Sequence, residues 1–348
     1  MTFVATHYAI RHLTRFQYAS PVTESVMELR MRPASDATQR CLQFEVDLQP
    51  RARVFAYRDF LGNWVHHFDL PRRHGRLAVT ARAQVQLEAP PELPAALGME
   101  SWLEVDAWAD RGEHWDFRQP SHFAVWSEAL VAFATSLGPL AERTADPLGT
   151  IRALMAAMHQ AFAYAPNSTR VDSPISEALA SRRGVCQDFT HIMLALLRRI
   201  GLPCRYVSGY IAPRALGEDD GPTTIATHAW VEVLLPGLGW VGVDPTNDIE
   251  AGQRHVRVAI GRDYADVPPT RGVYKGGAAS SLEVNVEVTP GEALPTLDAA
   301  VVAAATWTAE VLAPEEAADP LTEQQQQQQQ QQQTEPGRQQ QRAGEPTC

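Results

Sequence analysis

The first ninety residues alternate between apolar and polar side chains. The alternation is cleanest over residues 42–48, where the even-numbered positions are apolar, and over residues 76–87, where the odd-numbered positions are apolar. A period of two places one face of an extended chain against a core, which predicts β-strands with one buried face. Asp59–Asn63 has the composition of a turn between two of these strands. We therefore predict an all-β N-terminal domain over residues 1–94, ended by the proline-rich residues 90–94.

The period changes to that of a helix after residue 147. Apolar side chains then recur at spacings of three and four, at Ile151, Leu154, Met155, Met158 and Phe162. A second helix is predicted from Cys186 to Gly201, followed by strands at 205–211, 228–235 and 240–244. A helical segment followed by an antiparallel sheet is an α+β layout. We assign residues 147–290 to this core and residues 95–146 to a linker and helical segment.

The tail, residues 291–348, differs in composition from the rest of the chain. It contains ten consecutive glutamines at 324–333 and nine acidic residues against two arginines. Low-complexity, acidic segments of this kind are mostly disordered. A spacer is the simplest interpretation of the polyglutamine run, and the alternatives are a contact tract and an acyl donor. The tail carries −7 of the net charge of −11, and so acidic a chain argues against non-specific binding of nucleic acid.

Cysteine content and hydropathy bear on cellular location. No stretch of about 18 apolar residues is present, and the first residues lack the basic and apolar regions of a secretory signal. The four cysteines, Cys41, Cys186, Cys204 and Cys348, are too few for a disulfide framework in a chain of this length. These features predict a cytoplasmic protein with reduced thiols that does not bind membranes.

Cys186 is the residue best placed for chemistry. It lies at the predicted start of a helix, where free N–H groups and the helix dipole favour a thiolate. It also shares a helical face with Met193 and Leu197, so its sulfur is expected to point towards the sheet. The alternative is a structural cysteine that packs as a small apolar side chain.

His228 and Asp244 are predicted to be neighbours. His228 opens one strand of the antiparallel hairpin and Asp244 closes the next, so both lie at the same edge of the sheet. A histidine oriented by a carboxylate is the base that a thiol nucleophile needs. Asn247 is an alternative to Asp244 as the group that orients the ring, and each residue could also be an ordinary surface or turn residue.

Signals for metals and cofactors are weak. The sequence contains neither an HExxH motif nor paired CxxC motifs, so zinc is not indicated. No glycine-rich phosphate loop is present either. We therefore predict that the protein uses no cofactor and no metal.

Several blocks of sequence stand out in a fixed order along the chain. The core blocks are Gly184–His191, Gly201–Tyr210, His228–Val233 and Gly239–Thr246, followed by Gly261–Pro269 and Gly272–Gly276. These blocks resemble the bacterial transglutaminase-like proteins, a family to which cysteine protease activity is often ascribed. The N-terminal segments His12–Thr14, Tyr18, Pro21–Val22 and Asp59–Asn63 are similar to the β-rich domain that precedes the core in that family.

The resemblance implies a papain-like, transglutaminase-like α+β core behind an all-β N-terminal domain. It places the family's catalytic cysteine, histidine and aspartate on Cys186, His228 and Asp244. It also implies a peptide or protein amide as substrate and an association with ATP-grasp and alpha-E proteins.

Three functions are compatible with these residues. The first is a thiol-dependent peptidase or amidase that works through a cysteine thioester. The second is a protein-glutamine transamidase, which uses the same residues but transfers the acyl group to an amine. The third is a non-catalytic scaffold that binds a peptide, for which an intact Cys186, His228 and Asp244 would not be required.

Overall fold

The computed structural model describes residues 5–212, 227–291 and 325–327. The N-terminal strands are β1 (Thr6–Val22), β2 (Glu24–Leu29), β3 (Gln39–Gln49), β4 (Phe55–Arg58), β5 (Trp64–Leu70) and β6 (His74–Leu87). The helices are α1 (Ser101–Asp110), α2 (Glu128–Leu137), α3 (Pro147–Ala161), α4 (Ile175–Ser181) and α5 (Cys186–Arg199). The later strands are β7 (Ala163–Tyr164), β8 (Arg183–Gly184), β9 (Cys204–Ile211), β10 (Thr227–Leu235), β11 (Gly239–Asp244), β12 (Ile249–Glu250), β13 (His255–Gly261), β14 (Thr270–Lys275), β15 (Ser280–Pro290) and β16 (Gln325–Gln327).

The N-terminal strands form two sheets around an apolar core. One sheet has the order β15-β1-β6-β3 and the other β16-β14-β2-β5-β4. Between them lie buried side chains that include Phe16, Met27, Leu29, Phe68 and Leu77. The predicted strands of this region and the turn at Asp59–Asn63 are confirmed, because Gly62 N–H donates to Asp59 O and the Asp59 carboxylate accepts the Leu61 N–H.

The chain returns to the N-terminal sheets after the core. Strand β14 pairs with β2, and β15 pairs with β1 from Tyr8↔Pro290 to Tyr18↔Ser280. The prediction that residues 147–290 form the core alone therefore has to be corrected for β14 and β15. Their alternating pattern identifies strands, but a local pattern does not specify which distant strand they pair with.

The α+β core consists of α3, α4 and α5 against a five-stranded antiparallel sheet. The sheet has the order β12-β11-β10-β9-β13, and α5 packs on β9 and β10. Both predicted helices are confirmed, as is the hairpin of β10 and β11 with Leu235 paired to Gly239. The apolar face of α5, including Phe189, Met193 and Leu197, is fully buried in this core.

Helices α1 and α2 account for the tryptophan-rich segment between the predicted domains. Trp102, Val105, Leu130 and Phe133 join the same buried cluster as the core helices. Trp102 Nε1 also donates a hydrogen bond of 2.9 Å to Ala145 O. These helices are therefore built into the core.

Two side-chain amides attach the N-terminal domain to β13, an edge strand of the core sheet. Gln39 Nε2 donates to Arg257 O and its Oε1 accepts the Arg257 N–H, each at 2.8 Å. Asn63 makes the same pair of bonds with Ile260, each at 2.8 Å. These amides satisfy backbone groups that an edge strand leaves unpaired, and so fix β13 in place.

The tail is described only in part. Gln325–Gln327, within the glutamine run, form strand β16 beside β14, whereas the sequence predicted disorder there. Gly291 is described as well, and its N–H donates to His7 O at 3.0 Å, whereas residues 292–324 and 328–348 of the predicted disordered tail lie outside the described residues. Within the part of the chain that the structure describes, no helix is both long enough and apolar enough to cross a membrane.

Candidate active site

Cys186 is the first residue of helix α5, as the sequence predicted. Its side chain is partly buried and packs against the core cluster. The loop before it is held by strand β8, which pairs in parallel with β7, and Ala165 N–H donates to Gly184 O at 2.9 Å. The N–H of Cys186 itself lies in the first turn of α5, where backbone N–H groups have no acceptor four residues earlier within the helix.

Asp188 caps the start of α5. Its carboxylate accepts the Val185 N–H at 2.8 Å and the Thr169 hydroxyl at 2.6 Å. Burial raises the pKa of Asp188, although the hydrogen bond from Thr169 opposes this rise. A Cβ at Gly184 would lie 2.9 Å from both Cβ and Oδ2 of Asp188, so glycine is required where the loop meets the cap.

Gly184→Ala is expected to disturb the start of α5. The added methyl group must displace the Asp188 carboxylate, and overpacking of this kind costs about 1–3 kcal/mol of unfolding free energy. Gly75→Ala is the matched control, because a Cβ there would meet nothing within 4 Å. Urea denaturation of both variants measures the difference, and equal stability would contradict this account of Gly184.

His228 and Asp244 meet at one edge of the core sheet. Strands β10 and β11 are antiparallel, so the start of the first lies beside the end of the second. His228 Nε2 and Asp244 Oδ2 are 2.7 Å apart, and the two side chains are 8 % and 0 % exposed. The predicted pairing of these residues is confirmed.

The Asp244 carboxylate is buried, and both of its oxygens accept hydrogen bonds from protein donors. Thr246 N–H and Asn247 N–H donate to Oδ1 at 3.0 and 3.2 Å. Asn247 Nδ2 and His255 Nε2 lie 2.7 and 3.2 Å from Oδ2. Burial by itself raises the pKa of Asp244, but the hydrogen bonds from His228 and His255 outweigh it and hold the pKa well below its usual range. Asn247 thus supports Asp244 and does not replace it.

His228 connects the carboxylate to the thiol. Burial lowers its pKa, but hydrogen bonds with Asp244 and Cys186 and the negative charge of both groups raise it to about 10. Because Nε2 faces Asp244, Nδ1 is the ring nitrogen available to Cys186. The three residues predicted from sequence therefore form one hydrogen-bonded line, with His228 as an imidazolium at neutral pH.

Three tyrosine side chains lie near enough to Cys186 for its charge to affect their pKa values. Burial raises the pKa values of Tyr206 and Tyr264, and the negative charge of Cys186 raises them further. The pKa of the exposed Tyr164 is raised by the same two causes. These phenols remain neutral near the sulfur and can donate hydrogen bonds.

His255 belongs to this site, although no pattern in the sequence indicated it. It begins β13, eleven residues after Asp244, and in the folded chain its Nε2 lies 3.2 Å from Asp244 Oδ2. Donor atoms of His228, Asp244 and His255 lie within 4.8 Å of one another, a spacing that a metal ion could use. However, Gly252 N–H donates to His255 Nδ1 at 3.2 Å, which leaves the proton on Nε2. The three side chains are therefore arranged as hydrogen-bond partners, since a metal would need the Nε2 lone pair.

Comparison with known proteins identifies the fold. The crystal structure of "a Putative Cysteine Protease from Cytophaga hutchinsonii" matches with a TM-score of 0.62 and 19 % identity, covering 84 % of this chain and 93 % of that one. Residues 137–245 match the transglutaminase-like superfamily. The fold class is thus α+β, a papain-like, transglutaminase-like core preceded by an all-β domain, as predicted. These features define the class as thiol-dependent enzymes of the transglutaminase-like superfamily.

The N-terminal domain narrows the class to a family. Residues 8–86 match the bacterial transglutaminase-like N-terminal region. An uncharacterized protein of Mycobacterium leprae is 34 % identical over 278 residues, which are 80 % of this chain and 96 % of that protein. The chain belongs to the bacterial transglutaminase-like family. A protein-glutamine gamma-glutamyltransferase of Pseudomonas aeruginosa is 30 % identical over 152 residues, which span 39 % of this chain and 22 % of that enzyme.

Proposed function

We propose that this protein is a thiol-dependent acyl-transfer enzyme that cleaves a peptide or carboxamide bond through a cysteine thioester. The observation that carries the proposal is the hydrogen-bonded line from Cys186 through His228 to Asp244. A nucleophile, a base and a group that orients the base are the minimum set for this chemistry.

The reaction proceeds in two halves. The Cys186 thiolate attacks the carbonyl carbon of the substrate, and a C–S bond forms as the carbonyl becomes an oxyanion. The imidazolium of His228 then gives its proton to the leaving nitrogen, the C–N bond breaks, and a thioester and a free amine result. In the second half neutral His228 takes a proton from the acceptor, which attacks the thioester and releases the thiolate.

The oxyanion needs donors close to the sulfur. The Cys186 N–H lies in the first turn of α5 and is free of intrahelical partners, so it supplies one. Neutral tyrosine hydroxyls near the thiol, of Tyr206 and Tyr264, are the candidates for a second. A preorganised donor of this kind is worth about 10²–10³ in kcat.

The acceptor decides between hydrolysis and transamidation. Water makes the protein a peptidase or amidase, and a primary amine makes it a protein-glutamine transamidase. The similarity to the Pseudomonas aeruginosa protein-glutamine gamma-glutamyltransferase supports transamidation as the alternative function. Incubation with a glutamine-containing protein and a dansylated primary amine separates them, because only transamidation fixes the label covalently.

Selective alkylation of Cys186 tests the thiol chemistry without a substrate. At pH 6 we expect iodoacetamide to modify Cys186 on the order of 10²-fold faster than Cys41 or Cys204, since Cys186 lies at a helix start beside the imidazolium of His228, a setting typical of reactive cysteines. Burial raises the pKa of Cys204 to about 11 and also raises that of Cys41, so both remain thiols. Peptide mapping by mass spectrometry measures each rate.

The His228→Ala variant completes this test. Without the imidazolium, the preference for Cys186 at pH 6 should vanish. If Cys186 in the wild-type protein reacts no faster than Cys41 and Cys204, the enzyme proposal fails and the peptide-binding scaffold takes its place. The same proposal includes three further points. The substrates are peptide or protein amides, the partners are ATP-grasp and alpha-E proteins, and the location is cytoplasmic.

A further inference from the structure

His255 offers a hydrogen bond of fixed direction to Asp244. Its Nδ1 accepts the Gly252 N–H at 3.2 Å, and its Nε2 lies 3.2 Å from Asp244 Oδ2. A backbone N–H can only donate, so Nδ1 carries the lone pair and Nε2 carries the proton. The backbone of the loop before β13 thus selects the tautomer that donates to the carboxylate.

The two oxygens of Asp244 are held differently. Oδ1 is fixed by the backbone N–H groups of Thr246 and Asn247, which belong to the turn after β11. Oδ2, which faces His228, is held by the side chains of Asn247 and His255. The oxygen that orients the base therefore depends on two side chains, of which only His255 is attached to a different strand.

We infer that His255 is a positioning residue that fixes Asp244 Oδ2 against His228. The inference rests on the proposed function, because it assigns to His255 the task of keeping the His228–Asp244 bond intact during acyl transfer. His255 does not touch the thiol. It acts through Asp244, because its neutral ring donates a hydrogen bond to Oδ2, the same oxygen that faces His228.

The surroundings of His255 keep its ring neutral and fix its orientation. Its ring is 6 % exposed and packs edge-on to Trp230 at 5.2 Å between centroids. Burial lowers its pKa, the carboxylate of Asp244 opposes this, and the charges of His228 and Arg254 lower it again. A neutral ring can donate to Asp244 without competing with the positive charge of His228.

The N-terminal domain fixes the strand that carries His255. Gln39 binds both backbone groups of Arg257, two residues along β13, and Ala34 N–H also donates to Arg257 O at 2.9 Å. A movement of this domain relative to the core would therefore displace β13 and, through His255, change the hydrogen bond to Asp244 Oδ2. The positioning role gives a physical reason for the contact between the two domains.

A matched pair of substitutions tests the inference. In His255→Gln the amide nitrogen takes the place of Nε2 and can still donate to Asp244. In His255→Asn the shorter side chain reaches only the position of Nδ1, so it leaves Oδ2 without this donor. Both retain a polar amide of similar chemistry, and thermal melts establish that each variant is folded.

The readout is the pH dependence of Cys186 alkylation by iodoacetamide. Loss of a hydrogen bond to a charged group should loosen the His228–Asp244 pair and slow alkylation of His255→Asn about tenfold at pH 6. Above pH 9 the rate should approach that of the wild type, because ordinary cysteine thiols are largely ionised there. His255→Gln should keep the wild-type profile. A merely structural role would lower stability without this dependence on pH.

Chemical rescue provides a second arm. His255 borders a cavity of about 790 Å³ between the domains, which is also lined by Gly252, Trp230 and Arg257. In His255→Ala, added imidazole can enter this space and replace the missing ring, so it should restore alkylation at pH 7. Imidazole should have no effect on the wild type or on His228→Asn.

The outcomes separate this inference from the proposed function. Equal rates and equal pH profiles for His255→Gln and His255→Asn would overturn the positioning role. So would a ¹⁵N NMR spectrum of the wild-type protein that places the His255 proton on Nδ1, a measurement that needs no variant. A wild-type protein without fast alkylation of Cys186 would overturn the proposed function itself.

Discussion

Replacing Cys186 with alanine is expected to abolish acyl transfer, with a loss in kcat on the order of 10⁴-fold or more. The thiolate supplies the only bond to the acyl group in the proposed reaction, and neither His228 nor Asp244 can replace it. Release of p-nitrophenolate from an acyl nitrophenyl ester measures the loss. Folding should be nearly unaffected, because Cys186 is only partly buried at the rim of the core.

Cys41→Ser is the matched control for this substitution. Cys41 is also partly buried, but it lies on β3 in the N-terminal domain, where its thiol contacts Gln43 O. Its removal should leave turnover unchanged. Residual activity in Cys186→Ala above a few per cent of the wild type would show that another group is the nucleophile.

Asp244→Asn is expected to lower kcat by about 10³–10⁴-fold, with little change in KM. Asparagine keeps the volume of the side chain but cannot hold His228 as an imidazolium. The same ester assay measures the effect. Asp59→Asn is a suitable control, because Asp59 also accepts backbone N–H groups, those of Leu61 and Asn63, in a turn of the N-terminal domain. Comparable losses in both variants would contradict the role of Asp244.

The same variant should change how stability depends on pH. The pKa of Asp244 is lowered in the folded state, so its contribution is present above the unfolded pKa of about 4 and is lost as pH falls. The pKa of His228 is raised to about 10, so its contribution is complete below pH 6.5 and is lost as pH rises through 10. The difference in unfolding free energy between wild type and Asp244→Asn should therefore be largest between pH 4 and 6.5.

The expected size of this difference is about 3 kcal/mol at its maximum, since breaking a buried ion pair leaves a charge without its partner. Urea denaturation at pH 3.5, 5.5, 7.5 and 9.5 measures it. A difference that is constant across this range would show that the His228–Asp244 pair does not carry its charges in the folded protein.

Much of the site could be predicted from the sequence because its parts are local. A cysteine at a helix start and a histidine at a strand start can be recognised from hydrophobic periodicity within a dozen residues. The hairpin of β10 and β11 is short, so its turn fixed the neighbourhood of His228 and Asp244. Chain geometry then leaves only one edge of the sheet where they can meet.

His255 could not be found in this way. It reaches Asp244 from β13, which is hydrogen-bonded to β9 and separated from the hairpin in sequence by a turn and the short strand β12. Nothing in its neighbours' periodicity points to a carboxylate in another strand. The same limit applies to β14 and β15, whose pattern identifies strands without identifying their partners.

Local periodicity and short turns were enough to predict the strands, the helices and the α+β class, and they placed Cys186, His228 and Asp244 at a helix start and at one sheet edge. The catalytic roles proposed for these three residues came from the resemblance to the family. The return of the chain to the N-terminal sheets and the contacts of Gln39 and Asn63 with β13 are seen only in the folded protein. The tertiary structure also decided that His255 donates to Asp244. The reason is physical: pairing between distant strands depends on the packing of the whole core, and no short segment of sequence contains that information.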